Sequence, residues 1–191
     1  MSRTIDTLDR PVLVVGAGRC GTTLAMRMLR AGGVPYGTGV DSTSGEHQLD
    51  ALLAAAISQP EPGRAVKYVT RGRGLPPRYT SRRDWAVLHM TRNTRDQGRS
   101  TARFLTETVP HLVADADRMA NAIGRHIGNE RPVLRRQLAY FGDVLEIDYD
   151  QLLATPHDIA HRIEELLDVA GFDAGAAGAE VDPEHDDWAT P

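Results

Sequence analysis

Between a short β-branched run and an amphipathic stretch, the chain reads Gly16-Ala17-Gly18-Arg19-Cys20-Gly21-Thr22-Thr23. Two glycines five positions apart, followed by hydroxyl side chains, have the spacing of a loop whose backbone N–H groups cradle phosphate oxygens. In loops of this kind that hydrolyse nucleoside triphosphates, a Lys follows the second glycine and reaches the β- and γ-phosphates. Thr22 holds that position here, which argues against ATP or GTP hydrolysis. Arg19 lies inside the loop instead, and its planar guanidinium can fork onto two oxygens of a phosphate or sulfate group. The plain alternative is a βα turn that only packs a helix on a strand.

Such a loop needs elements to hold it. Pro11 to Val15 reads as a strand entering it. Thr22 to Ala31 reads as a helix leaving it, with Leu24, Met28 and Leu29 on one face and Gly32-Gly33 as its stop. That order aims a helix N-terminus and its dipole at an anion. A turn-rich stretch from Pro35 to Gly45 leads to an expected helix over Glu46 to Ser58, ended by Pro60, Pro62 and Gly63. Further strands are expected over Ala65 to Thr70, Trp85 to Thr91 and Val144 to Tyr149. Asp96 to Tyr140 is mostly helical in pattern, with breaks expected near Pro110, Gly128 and Pro132, and another helix is expected over about Pro156 to Ala170. Residues 171–191, rich in Gly, Ala and Asp, are expected to be extended or partly disordered. Strands alternating with helices predict an α/β fold, a P-loop NTPase-like parallel sheet with helices on both faces, as a single domain over residues 1–191.

With 191 residues, 41% hydrophobic and 25% charged, the chain has the composition of an ordinary globular domain. Its longest mainly apolar run, Ala51 to Ile57, is too short to span a bilayer. No apolar stretch follows Met1, so the expected location is the cytoplasm. Cys20 is the single cysteine, which excludes an internal disulfide, and no Cys/His cluster points to zinc, so no metal is expected. The net charge of −4 conceals an asymmetry: eleven basic residues against two acidic ones from Arg64 to Arg103, and nine acidic residues with no Lys or Arg from Ile163 onward. Either the basic stretch faces a polyanion or it is a solvated face folded against an acidic tail. Aromatics interleave with it only at Tyr68, Tyr79 and Trp85, so nucleic acid is not the expected partner.

The glycine loop resembles the 5′-phosphosulfate loop of sulfotransferases that use 3′-phosphoadenylyl sulfate (PAPS). That loop reads roughly Gly-x-x-Arg/Lys-Ser-Gly-Thr-Thr/Ser, and Cys20 stands in the place of its Ser. The resemblance implies that Gly18, Arg19, Cys20, Gly21, Thr22 and Thr23 hold the 5′ end of PAPS, with Arg19 stabilising the leaving phosphate. A second segment, Trp85-Ala-Val-Leu-His-Met-Thr-Arg92 followed by Asn-Thr-Arg-Asp-Gln-Gly-Arg-Ser100, is similar to the family's 3′-phosphate segment. There a strand ends in Arg and a Ser follows eight positions later, which implies that Arg92 and Ser100 hold the 3′-phosphate. Weaker likenesses are Val144 to Leu153 with Pro156, to a late strand and its turn, and Val181-Asp182-Pro183, to a tail segment.

The chain departs from the family in two places. An Arg-Lys-Gly segment used by cytosolic members as a further 3′-phosphate contact is missing. Tyr68 and Val69 follow Lys67, so the His that those members place two residues past a strand Lys is missing too. Other branches use a Glu preceded by Gly, and Gly45-Glu46 resembles that arrangement, making Glu46 the implied general base with Asp41 and His47 as runners-up. Lys67 resembles the Lys that lies beside the transferred group. The implied activity is sulfuryl transfer from PAPS to a hydroxyl or amine acceptor. The alternatives are an inactive nucleotide-binding module of the same fold, or a small P-loop kinase with Asp148 as its metal-linked acid. His89, inside an apolar strand, reads as a core histidine.

Overall fold

The computed structural model describes residues 8–37, 61–70, 75 and 84–181. Four strands, β1 (Val12–Ala17), β2 (Ala65–Thr70), β3 (Trp85–Thr91) and β4 (Gly142–Asp148), form one parallel sheet in the order β2-β1-β3-β4. β1 is central, and its side chains alternate between two apolar layers. Val12 and Val14 enter the layer formed with α1 (Thr22–Ala31), α5 (Pro156–Leu167) and α6 (Ala174–Ala179). Leu13 and Val15 enter the other, with Trp85, Val87, Phe141 and the α3 (Ala116–Leu138) residues Leu134 and Leu138. The fold is therefore α/β with helices on both faces of a parallel sheet.

Helix α2 (Thr94–Thr108) packs along α3. Asn93 starts α2 by accepting from the amides of Arg95 and Asp96, which satisfies two of the first-turn N–H groups. The two backbones approach so closely that a Cβ on Gly98 would lie 2.3 Å from the Ala120 carbonyl oxygen, and one on Gly124 would lie 2.7 Å from that of Thr94. Only glycine fits at this crossing, and the crossing fixes where α2 lies relative to the ends of the strands.

Several boundaries differ from the sequence expectations. The helical stretch breaks only at the 3-10 turn Pro110–Leu112, and α3 runs unbroken through Gly128 and Pro132. Pro132 cannot donate to the Gly128 carbonyl. Both residues are exposed, so that carbonyl can turn to water while Leu134 and Leu138 hold the helix on the sheet. β4 ends at Asp148 because the Asp148 carboxylate accepts from the amides of Asp150 and Gln151 and starts a short helix, α4 (Tyr149–Ala154). Residues 171–181, expected to be extended, contain α6. Ala174, Ala177 and Gly178 are buried there, and a Cβ on Gly178 would lie 2.4 Å from His157 Nδ1. The small residues that suggest disorder are those that allow this close packing. Among the described residues no helix is long and apolar enough to cross a membrane, and no group of three or more His, Cys, Asp or Glu could hold a metal ion.

Candidate functional site

All four parallel strands end on the same side, and the loop from β1 to α1 opens there. In open α/β sheets, ligands bind in the crevice outside the carboxyl ends of the strands. Gly16 closes the base of the loop: a Cβ there would lie 2.4 Å from Cys20 Sγ and 2.6 Å from the Met90 carbonyl oxygen. Gly21 adopts a left-handed conformation (φ 89°) as the N-cap of α1. It caps no amide with a side chain, and the first turn of α1 carries no acid. The positive end of the α1 dipole can therefore attract an anion. Arg19 is also left-handed (φ 66°), a conformation that costs a non-glycine residue of order 1–3 kcal/mol and persists where surrounding structure enforces it.

Ser100, Phe104 and Gln97 supply enforcing contacts. The Arg19 Nε donates to Ser100 Oγ at 3.3 Å, and its guanidinium carbon lies 5.4 Å from the centre of the Phe104 ring. Gln97 Nε2 donates to the carbonyls of Ala17 (3.2 Å) and Gly18 (2.8 Å), fixing the loop from the α2 side. The Cys20 thiol is fully buried, and that burial pushes its pKa up to about 12. Cys20, expected among the nucleotide contacts, is fully buried in the core on the α1 side of the sheet.

Arg92 follows β3 and is 8% exposed. Its guanidinium stacks 4.6 Å from the centre of the buried Tyr149 ring, its carbonyl accepts from Arg131 Nη2, and its Nε has no hydrogen-bond partner among the described residues. Tyr149 also abuts Gly21, where a Cβ would lie 2.5 Å from its ring. Arg92 and the loop are therefore two sides of one aromatic wall. Burial, followed by the charges of Arg92 and Arg103, lowers the pKa of the Arg19 guanidinium from its ordinary value. Arg19 remains a cation, and the guanidinium groups of Arg92 and Arg103 are close enough to act on it.

Lys67 is buried at 3% exposure on the α1 face of β2, beside Val14, and its Nζ donates to Thr23 Oγ1 at 3.1 Å. Thr22, in the first turn of α1, is buried. The structure thus brings Gly18, Arg19, Gly21, Thr22, Thr23, Lys67, Arg92 and Ser100 to one end of the sheet. Glu46, Asp41 and His47 lie outside the described residues. His89 is a buried strand residue whose Nδ1 lies 3.3 Å from Glu146, and burial takes its pKa down to about 4. Asp148 uses its carboxylate to cap α4. Gln97 escapes a reading of the sequence: nothing in the pattern around it distinguishes it from a polar helix residue, because its partners lie on another element.

No protein-family model matches the sequence, and neither does any curated protein. Among solved structures, the chain is similar to the sulfotransferase STF9 from Mycobacterium avium, with 14% identity and a TM-score of 0.52 over 91% of this chain and 67% of that one. It also aligns with a retinol dehydratase crystallised with androsterone and the inactive cofactor PAP, at 14% identity and a TM-score of 0.49 over 90% of this chain and 64% of that one. The chain spans about two thirds of the length of each. Its fold is that of a sulfotransferase.

Proposed function

We propose that the chain transfers a sulfuryl group from PAPS to a hydroxyl or amine acceptor. The observation that carries this reading is the buried Arg92, its Nε unpartnered among the described residues, set across Tyr149 from a loop whose own Arg19 touches Ser100. Two separated cationic contacts suit a nucleotide with phosphate on both its 5′ and 3′ positions. In this reading Arg92 and Ser100 hold the 3′-phosphate, while Arg19, Thr22, Thr23 and the loop amides hold the 5′-phosphosulfate.

In-line transfer breaks the S–O bond to the 5′-phosphate and forms an S–O or S–N bond to the acceptor. The acceptor's proton passes to a base, for which Glu46 is the proposed residue, and PAP leaves. Negative charge grows on the phosphate oxygen as the bond breaks, and Arg19 and the α1 amides are aimed at it. Lys67, held by Thr23 in the first turn of α1, is proposed to stabilise the transferring group. Two residues favour sulfuryl over phosphoryl transfer: Thr22 where a triphosphatase loop carries Lys, and Asp148 serving as a helix cap.

Calorimetry with PAP, ATP and GTP tests the reading. PAP should bind in the micromolar range or tighter, and the triphosphates much more weakly. Tight ATP or GTP binding with no response to PAP would overturn it.

A further inference from the structure

Gln97 is 1% exposed, on the side of α2 that faces the loop. The two groups its amide meets are carbonyl oxygens, which only accept, so the NH₂ must be the half turned to the loop. The other half, Oε1, is buried and has no hydrogen-bond partner among the described residues. Gln97 also lines a small, partly open pocket of about 10 Å³ together with Thr70, His89, Glu130, Arg131 and Leu134. Thr70 Oγ1, at the end of β2, lines the same pocket and is likewise buried and unpartnered among the described residues. The volume is about what one water molecule needs, and polar groups make up about half of the walls. Leaving such buried atoms unsatisfied is costly, and a water seated in this pocket would have them as partners.

We propose that Gln97 is the positioning residue of the phosphate loop, braced from behind by one buried water that bridges its Oε1 to Thr70 Oγ1. Drawing the Ala17 and Gly18 carbonyls toward α2 leaves the amides that follow free to face an anion, and it supports the left-handed turn at Arg19. The benefit to ligand binding rests on the reading of the loop as the 5′-phosphate site; the geometry of the brace does not.

The test uses the full chain in three variants. Gln97→Met keeps the length and removes the donor, Gln97→Glu keeps the shape and sets a carboxylate against two carbonyls, and Thr70→Val removes the hydroxyl. In hydrogen exchange without ligand, amides of residues 16–23 should exchange about tenfold faster in both Gln97 variants and by a smaller factor in Thr70→Val, with β3 unchanged. Unchanged loop protection overturns the proposal, and so does an equal loss through β3, which a merely structural role would give. A high-resolution crystal structure should place a water within hydrogen-bonding distance of both atoms; density without one overturns the bridge. PAP affinity should fall about tenfold in Gln97→Met. If the exchange result holds but the wild type does not bind PAP, the brace stands and the functional reading fails. If the wild type binds PAP and all variants match it in both measurements, the brace fails and the reading stands.

Discussion

Arg19 Nε donates to Ser100 Oγ at 3.3 Å across 81 positions of sequence. The contact ties the loop that opens α1 to the second turn of α2, so two motifs far apart in the chain share one wall. It depends on α2 being pressed toward the sheet ends by its glycine crossing with α3. A change in that crossing therefore moves the loop's support as well as the helix.

Arg92→Ala should separate the two phosphates of PAP. Losing a charge-assisted contact to a partly desolvated phosphate costs roughly 1.5–3 kcal/mol, ten- to a hundredfold in affinity. AMP, without a 3′-phosphate, should bind the wild type less well and be nearly indifferent to the substitution. Calorimetry of both ligands on both proteins checks this, and equal losses for PAP and AMP would remove Arg92 from the 3′-phosphate.

Two helical glycines should respond in opposite directions. Gly98→Ala sets a methyl 2.3 Å from a backbone oxygen that cannot yield, so overpacking should cost about 1–3 kcal/mol and weaken PAP binding by displacing Ser100 and Gln97. Gly128→Ala meets only a Thr94 methyl at 3.8 Å in an exposed helix interior, and should stabilise by about 0.4–1 kcal/mol. Urea unfolding of the two variants beside the wild type decides it.

How much of the molecule is legible in the sequence depends on whether the cause is local. β1, β2, β3 and α1 can be read because β-branched runs, Gly32-Gly33 and the loop glycines punctuate the chain where the elements end. Arg92 at the end of β3 and Lys67 within β2 can be placed on their elements, while the ligand roles of Arg92, Ser100 and Lys67 are expectations from resemblance. Gln97 cannot be singled out, since its partners are the carbonyls of residues 17 and 18, and α6 cannot, since its small residues gain meaning only against His157 and α1. Pro132 misleads because the rule against helix-interior proline ignores an exposed carbonyl. Glu46 stays an expectation from resemblance.

His89 gives the fold a pH dependence. Its folded pKa of about 4 lies below the ordinary 6.5 because burial disfavours the charged ring, with Glu146 opposing. Between those values the unfolded chain binds the proton and the folded one does not, so stability is complete above 6.5 and falls as pH drops toward 4. The gap corresponds to about 3 kcal/mol. Glu146, held below its ordinary range by Arg135, adds its own loss only below 4.5. The urea midpoint should therefore decline between pH 6.5 and 4.5 in the wild type and much less in His89→Gln; parallel declines would assign the effect elsewhere.

Glu46→Gln should leave PAP affinity nearly unchanged and lower turnover by at least about a hundredfold, the contribution of a positioned base. Retained turnover would transfer the role to Asp41 or His47, each open to the same pair of measurements.

Metal dependence separates sulfuryl from phosphoryl transfer. A P-loop kinase needs Mg²⁺ to bridge its β- and γ-phosphates, with a loop hydroxyl and a downstream Asp holding the ion. A sulfuryl donor has no terminal polyphosphate, and the transferring group carries a single negative charge, so in the proposed reading Arg19 and the α1 amides can suffice without a metal. Transfer from PAPS should persist in excess EDTA. Asp148→Asn should change it little, because Asn caps a helix about as well as Asp, whereas Asp148→Ala should cost about 1 kcal/mol of stability by uncapping α4. Arg19→Ala should reduce turnover strongly, since it removes the contact to Ser100 together with the charge that the proposed reading sets at the leaving phosphate. Activity that requires ATP and magnesium, and that disappears with Asp148→Asn, would replace the sulfotransferase reading with the kinase one.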